Sequence, residues 1–191
     1  MIGVVFCGGK STRMGTDKGL IPILDDNWAS LAFKKLSNLG IPVKVSINSD
    51  QKLNYLNFFA EEQLLPDNLS LHVAGPLLGL LTAHVQYPNE SIFVLACDLP
   101  LMEVGLLKRL QLAEENEPET DAIVYLNSGN VEPLCAAYKP TGLVKVMSEL
   151  RSNTLRRHSM KHVLSLLKVH QLDIPKGEEQ SFTNFNTQGI T

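Results

Sequence analysis

With 191 residues the chain can form one domain with a substantial buried core. Its net charge of −3 argues against nucleic-acid or membrane-surface binding as a main activity. No apolar run approaches the roughly 20 residues that span a bilayer, and the apolar stretch at Met1 is too short, and lacks the basic leader, for a signal peptide.

The pattern alternates between strand-like and helix-like stretches. The first strand, residues 2–7, is apolar and ends in Gly8-Gly9. A polar loop with Lys10, Ser11, Thr12 and Arg13 follows, then Gly15 and Asp17-Lys18. A strand that feeds a glycine-rich turn lets backbone N–H groups and nearby cations converge on phosphate oxygens. Neither common phosphate loop is present. Gly3 stands one residue too early for a Walker A loop ending at Lys10-Ser11, and Gly8, Gly9 and Gly15 have the wrong spacing for a dinucleotide fingerprint.

A helix is expected over 28–39, with Trp28, Leu31, Ala32, Leu36 and Leu39 on one face, Asp26 or Asn27 as cap and Gly40 as stop. Strands are expected over 43–47 and 69–73. Gly75-Pro76 opens a mostly apolar helix, 77–86. A continuously apolar strand, 92–97, ends at Cys97-Asp98. Next come a helix over 104–115, strands over 122–126 and 134–138, helices over 141–150 and 154–167, and a strand over 169–174. Such alternation implies a single-domain, three-layer α/β/α fold with a mostly parallel, Rossmann-like sheet covered on both faces. Ligands of such sheets bind at the carboxyl ends of the strands. The Gly8-Gly9 turn and Asp98 should therefore meet, provided their strands are neighbours. Cys7, Cys97 and Cys135 each lie in or at the end of an apolar run, which reads as buried, reduced thiols of a cytoplasmic protein.

Within this frame Lys18 and Arg13 are candidate phosphate cations, and Lys10 is a weaker one. The alternative for each is a solvated surface charge. Asp98 suits a hard Mg²⁺ ion, which favours one or two carboxylates plus phosphate oxygens and water. A helix N-cap is the competing role for it. His158 and His162 stand i, i+4, but no third ligand is near, so a basic helix face with Arg156, Arg157 and Lys161 is the better reading.

The stretch Gly8-Gly9-Lys10-Ser11-Thr12-Arg13-Met14-Gly15-Thr16-Asp17-Lys18 resembles the signature of the molybdenum cofactor guanylyltransferase family. Gly75-Pro76-Leu77-Leu78-Gly79, Cys97-Asp98-Leu99-Pro100 and Asn184-Phe185-Asn186-Thr187 resemble three further family motifs, in the family's order. The resemblance implies a nucleotidyltransferase that moves GMP from GTP to the terminal phosphate of molybdopterin and releases pyrophosphate. Arg13 would meet the β- and γ-phosphates and Lys18 the α-phosphate, with Asp17 orienting Lys18 or the loop. Asp98 would hold Mg²⁺. The base would lie near Phe6, Cys7, Gly8 and Gly9. The family's nucleotide-contacting asparagine aligns better with Ser46, which Asn48 follows closely, and Asn48 is the candidate for that contact; a turn asparagine is the alternative. Asn184 and Asn186 would contact the acceptor or the metal. Transient contact with molybdoenzymes or cofactor-insertion proteins is also implied. Two departures stand out. Gln188 replaces the usual Pro, and the family's aspartate at the end of the strand before Gly75 is missing, because that strand runs straight into Gly75 and Asp67, which lies before it, is a poor substitute. Rival readings are a sister enzyme using CTP or a sugar- or polyol-phosphate acceptor, and a non-catalytic GTP-binding relative.

Overall fold

The structure, a computed structural model, describes residues 1–7 and 17–185. In chain order its strands and α-helices are β1 (Ile2–Phe6), β2 (Pro22–Ile23), β3 (Asp26–Asn27), α1 (Trp28–Ser37), β4 (Val43–Ile47), α2 (Lys52–Tyr55), β5 (Leu64–Pro66), α3 (Pro76–Gln86), β6 (Ile92–Ala96), α4 (Val104–Asn116), β7 (Ala122–Asn127), β8 (Asn130–Tyr138), α5 (Pro140–Arg151), α6 (Met160–Ser165) and β9 (Val169–Asp173). Among the described residues seven strands form one sheet in the order β5-β4-β1-β6-β8-β7-β9. The run β5-β4-β1-β6 is parallel, as is β7 with β9, and β8 runs antiparallel to both its neighbours.

Period-two alternation divides the core into two layers. Val5, Phe93, Leu95, Ile123 and Tyr125 point to the side covered by α1 and α4, where Trp28, Ala32, Leu36, Leu106 and Leu110 are buried. Val4, Phe6, Ile92, Val94 and Val124 point to the other side, under α3, α5 and α6, with Leu77, Leu81, Leu143, Val146 and Val163. This is the expected three-layer arrangement. Asn27 caps α1 by accepting a hydrogen bond from Ser30 N at 2.8 Å. On the other face Gly79 lets α3 lie close to β4, since a Cβ there would stand 2.5 Å from Ser46 Oγ.

Several expectations are corrected. Residues 69–73 form no strand. Leu69–Leu71 is a 3-10 turn, capped by the Asn68 side chain and closed by His72 at a positive φ. The strand beside β4 is β5, whose Leu64 and Leu65 are buried whereas Leu69 is largely exposed. The expected helix over 154–167 shrinks to α6, so His158, Arg156 and Arg157 precede it and form no helix face with Lys161 and His162. β7 and β8 form a hairpin closed by Ser128 and Gly129, both at positive φ, and this two-residue turn is what sets β8 antiparallel.

Candidate active site

Between β1 and β6 the chain reverses its direction of sheet growth. It builds outward from β1 through β4 to β5, then returns to β6 on the other side. Ligands of open α/β sheets gather at such a point, beyond the carboxyl ends of the strands. In sheet order those ends present Asp67 after β5, Asn48 after β4, Cys7 after β1 and Asp98 just beyond β6. With neighbouring strands roughly 4.8 Å apart, the row is about 14 Å long, comparable with an extended nucleoside triphosphate.

The expected juxtaposition of the first and fourth predicted strands is present. Cys97 N donates to Phe6 O at 3.1 Å, and β1 and β6 pair from Ile2↔Ile92 to Phe6↔Ala96. Lys18, in the 3-10 turn Lys18–Leu20, carries its Nζ to 3.5 Å from Asp98 Oδ2. Both side chains are partly exposed, at 29% and 22%. Asp98 does not cap α4, whose N-cap is Glu103. Instead it sits in the turn between β6 and α4, held from two sides. Lys35 Nζ, reaching over from α1, donates to Pro100 O at 2.5 Å, and Phe185 N donates to Asp98 O at 3.0 Å. Phe185 also packs edge-on against Trp28, with ring centroids 6.4 Å apart. Phe185 therefore reaches the edge of the site, and Asn184 before it is exposed.

Asp17 is a local anchor. Its Oδ1 accepts from Gly19 N at 3.0 Å and from the Tyr55 hydroxyl at 2.9 Å, and its Oδ2 accepts from Gln51 Nε2 at 2.6 Å. Gly19 is required there, because a Cβ would stand 2.1 Å from the Tyr55 oxygen. Asn48 is a turn cap, with Oδ1 accepting from Asp50 N and Gln51 N at 3.0 and 3.1 Å. Its Nδ2 makes no hydrogen bond to a described residue, so the amide donor remains for a ligand.

Burial pushes the Asp67 carboxyl up to about 6. The hydrogen bond with the Cys7 thiol, and then burial, hold the Cys97 thiol well above its usual range. Cys97 is therefore a protonated, buried group and offers no thiolate at this strand end. Among the described residues no group of three or more His, Cys, Asp and Glu side chains could hold a metal on its own. The partly exposed Asp98 carboxyl group, completed by phosphate oxygens and water, would suit Mg²⁺, and the Lys18 ammonium is a phosphate partner and no metal ligand.

Of the residues expected from sequence, Phe6, Cys7, Lys18, Asn48, Asp98 and Asn184 lie on this edge. Gly8, Gly9, Lys10, Arg13 and Asn186 lie outside the described residues. Gln51, Tyr55 and Lys35 were not anticipated. One signal for Gln51 was available, since Asn48-x-x-Gln51 has the spacing of a capping box. Asp67 returns as a candidate: the strand before Gly75 is β5, and Asp67 stands at its carboxyl end, its N–H donating to Ile47 O at 2.9 Å.

The family model for the MobA-like NTP transferase domain matches residues 3–170. The chain is 29% identical over 184 residues to the molybdenum cofactor guanylyltransferase of Campylobacter jejuni subsp. jejuni, covering 96% of this chain and 89% of that protein. It is 26% identical over 183 residues to a probable molybdenum cofactor guanylyltransferase of Flavobacterium johnsoniae, covering 96% and 90%. Among solved structures, molybdopterin-guanine dinucleotide biosynthesis protein A from Archaeoglobus fulgidus shares the fold with a TM-score of 0.77 at 21% identity, covering 98% of this chain and 93% of that one.

Proposed function

The chain belongs to the MobA-like NTP transferase family, and from that premise we propose that it transfers GMP from GTP to the terminal phosphate of molybdopterin. An oxygen of that phosphate attacks the α-phosphorus of GTP, the bond from the α-phosphorus to the bridging oxygen breaks, and pyrophosphate leaves with that oxygen. The product is a guanine dinucleotide form of the cofactor. The observation that carries the reading is the meeting of Lys18 and Asp98 at 3.5 Å on the strand ends flanking the switch point.

In phosphoryl and nucleotidyl transfer the protein acts mainly by positioning and electrostatics. Lys18 supplies a point charge for the α-phosphate oxygens as negative charge builds there. Arg13, five residues before Lys18 in sequence, grips β- and γ-phosphate oxygens, a task suited to a forked donor. Asp98 would hold Mg²⁺, which when bound neutralises phosphate charge. In the middle of the row, the strand-end backbone at Phe6 and Cys7, with Gly8 and Gly9, borders the base, and Asn48 offers its Nδ2 to the nucleotide. Asp67 supports guanine over cytosine. An ionised carboxylate accepts from the adjacent N1–H and N2–H of guanine, whereas cytosine offers acceptors at the corresponding ring edge. Asn184, beside Asp98, and Asn186 face the acceptor phosphate.

Product analysis tests the proposal. Incubation with GTP, Mg²⁺ and molybdopterin should yield molybdopterin carrying one added GMP unit, detected by mass. Recovery of unchanged molybdopterin from a folded preparation would reject it.

A further inference from the structure

We infer that Gln51 is a positioning residue that ties the nucleotide end of the site to its phosphate cation. The inference rests on the guanylyltransferase reading above. Gln51 is 8% exposed, and its side-chain amide is fully committed. Nε2 donates to Cys7 O at 3.1 Å and to Asp17 Oδ2 at 2.6 Å, while Oε1 accepts from Asn48 N at 2.8 Å. Both amide protons and the amide oxygen are therefore used, which leaves the group one orientation.

A capping glutamine needs only the bond back to Asn48. This one also spans 44 residues to the carbonyl of Cys7 and 34 residues to the carboxylate of Asp17. Three pieces of the site thus share one amide. Asn48 and Cys7 mark the strand ends where the base and ribose lie, and Asp17 immediately precedes Lys18. Asp17 is fixed in turn by the Tyr55 hydroxyl and by Gly19 N. A low-dielectric, fully satisfied network of this kind has few alternative arrangements. A shift of Asn48 or Cys7 would move Asp17, and with it the turn that carries Lys18. Gln51 touches no reacting atom on this account. It sets the distance between the group that reads the nucleoside and the cation that meets its α-phosphate.

Coupling to Lys18 distinguishes this role from a purely structural one. The test is a double-mutant cycle on kcat, with saturating GTP, molybdopterin and Mg²⁺, using Gln51→Leu and Lys18→Ala singly and together. If Gln51 acts through Lys18, Gln51→Leu lowers kcat about tenfold in the parent, as a misplaced catalytic group does, but changes it less than about twofold in the Lys18→Ala background. An equal fold-loss in both backgrounds, or no loss in the parent, overturns the inference and leaves the guanylyltransferase reading standing. If Gln51→Leu does not fold, as judged by its melting transition, Tyr55→Phe carries the same cycle, because it removes one bond to Asp17 and little volume. It should cost about threefold in the parent and nothing further without Lys18. The alternative failure looks different. If the parent protein transfers no GMP, or Lys18→Ala transfers it at the parental rate, the guanylyltransferase reading falls and the Gln51 inference falls with it.

Discussion

Lys18 Nζ lies 3.5 Å from Asp98 Oδ2, although 80 residues separate the two in sequence. Each reaches this meeting from a different strand end, Lys18 after β1 and Asp98 after β6. Both are partly exposed, and an ion pair in that setting contributes at most about 1 kcal/mol to stability. On the proposed function its significance is chemical, since a triphosphate needs a cation and a divalent metal needs a carboxylate.

Lys18→Ala and Asp98→Ala should therefore separate activity from stability. Each is expected to lower kcat/KM for GMP transfer by on the order of 10²-fold or more, as lost transition-state charge stabilisation does. The unfolding free energy of either variant, from urea melts, should change by no more than about 1 kcal/mol. Steady-state kinetics and urea melts on the same preparations check both statements. A large loss of stability would assign the pair a structural role instead.

Asp67 should give the protein a pH signature. Burial raises its pKa from 3.8 to about 6, so between those values the folded protein keeps a proton that the unfolded chain has released. Stability contributed by this group is full below pH 3.8 and declines as pH rises to about 6. Asp67→Asn removes that decline, and above pH 6 the variant should be the more stable protein. Comparing urea midpoints of the parent and the variant from pH 4 to pH 8 measures the difference.

The same titration should appear in substrate binding. On the proposed function the ionised carboxylate would accept from guanine, whereas the protonated one would accept less well and compete as a donor. KM for GTP should rise as pH falls below about 6 in the parent. Asp67→Asn should show a raised KM at pH 7.5 and no such pH dependence. A parent KM that is flat across pH 6 would remove Asp67 from base recognition.

Gly79 and Ser46 should be energetically coupled. A Cβ at Gly79 would lie 2.5 Å from Ser46 Oγ, and overpacking of this kind costs about 1–3 kcal/mol. Alanine also favours the helix over glycine by about 1 kcal/mol. Gly79→Ala is therefore expected to destabilise the parent, yet to be neutral or stabilising in a Ser46→Ala background, where the obstructing oxygen is gone. Chemical denaturation of the four proteins gives the coupling directly.

Much of the fold was readable because its signals are local. The buried runs at 2–7 and 92–97 are continuously apolar, as strands covered on both faces must be, and α1 carries a regular apolar face. Asp98 and Lys18 stood out because each follows a strand end in a distinctive motif. The failures have physical causes. Residues 69–73 alternate Leu, Ser, Leu, His, Val as a strand would, but Asn68 caps a 3-10 turn there and the pairing edge of β4 is taken by the shorter Leu64–Pro66. That misplacement concealed Asp67. Gln51, Tyr55 and Lys35 escaped notice because their roles come from contacts across 34, 38 and 65 residues, which no local pattern encodes.

Pyrophosphate release with Mg²⁺, comparing GTP with CTP and each with and without molybdopterin, tests the central claim most directly. The account predicts release with GTP that requires molybdopterin, and little with CTP. Release with CTP alone, or none with GTP from a folded preparation supplied with molybdopterin, would contradict it.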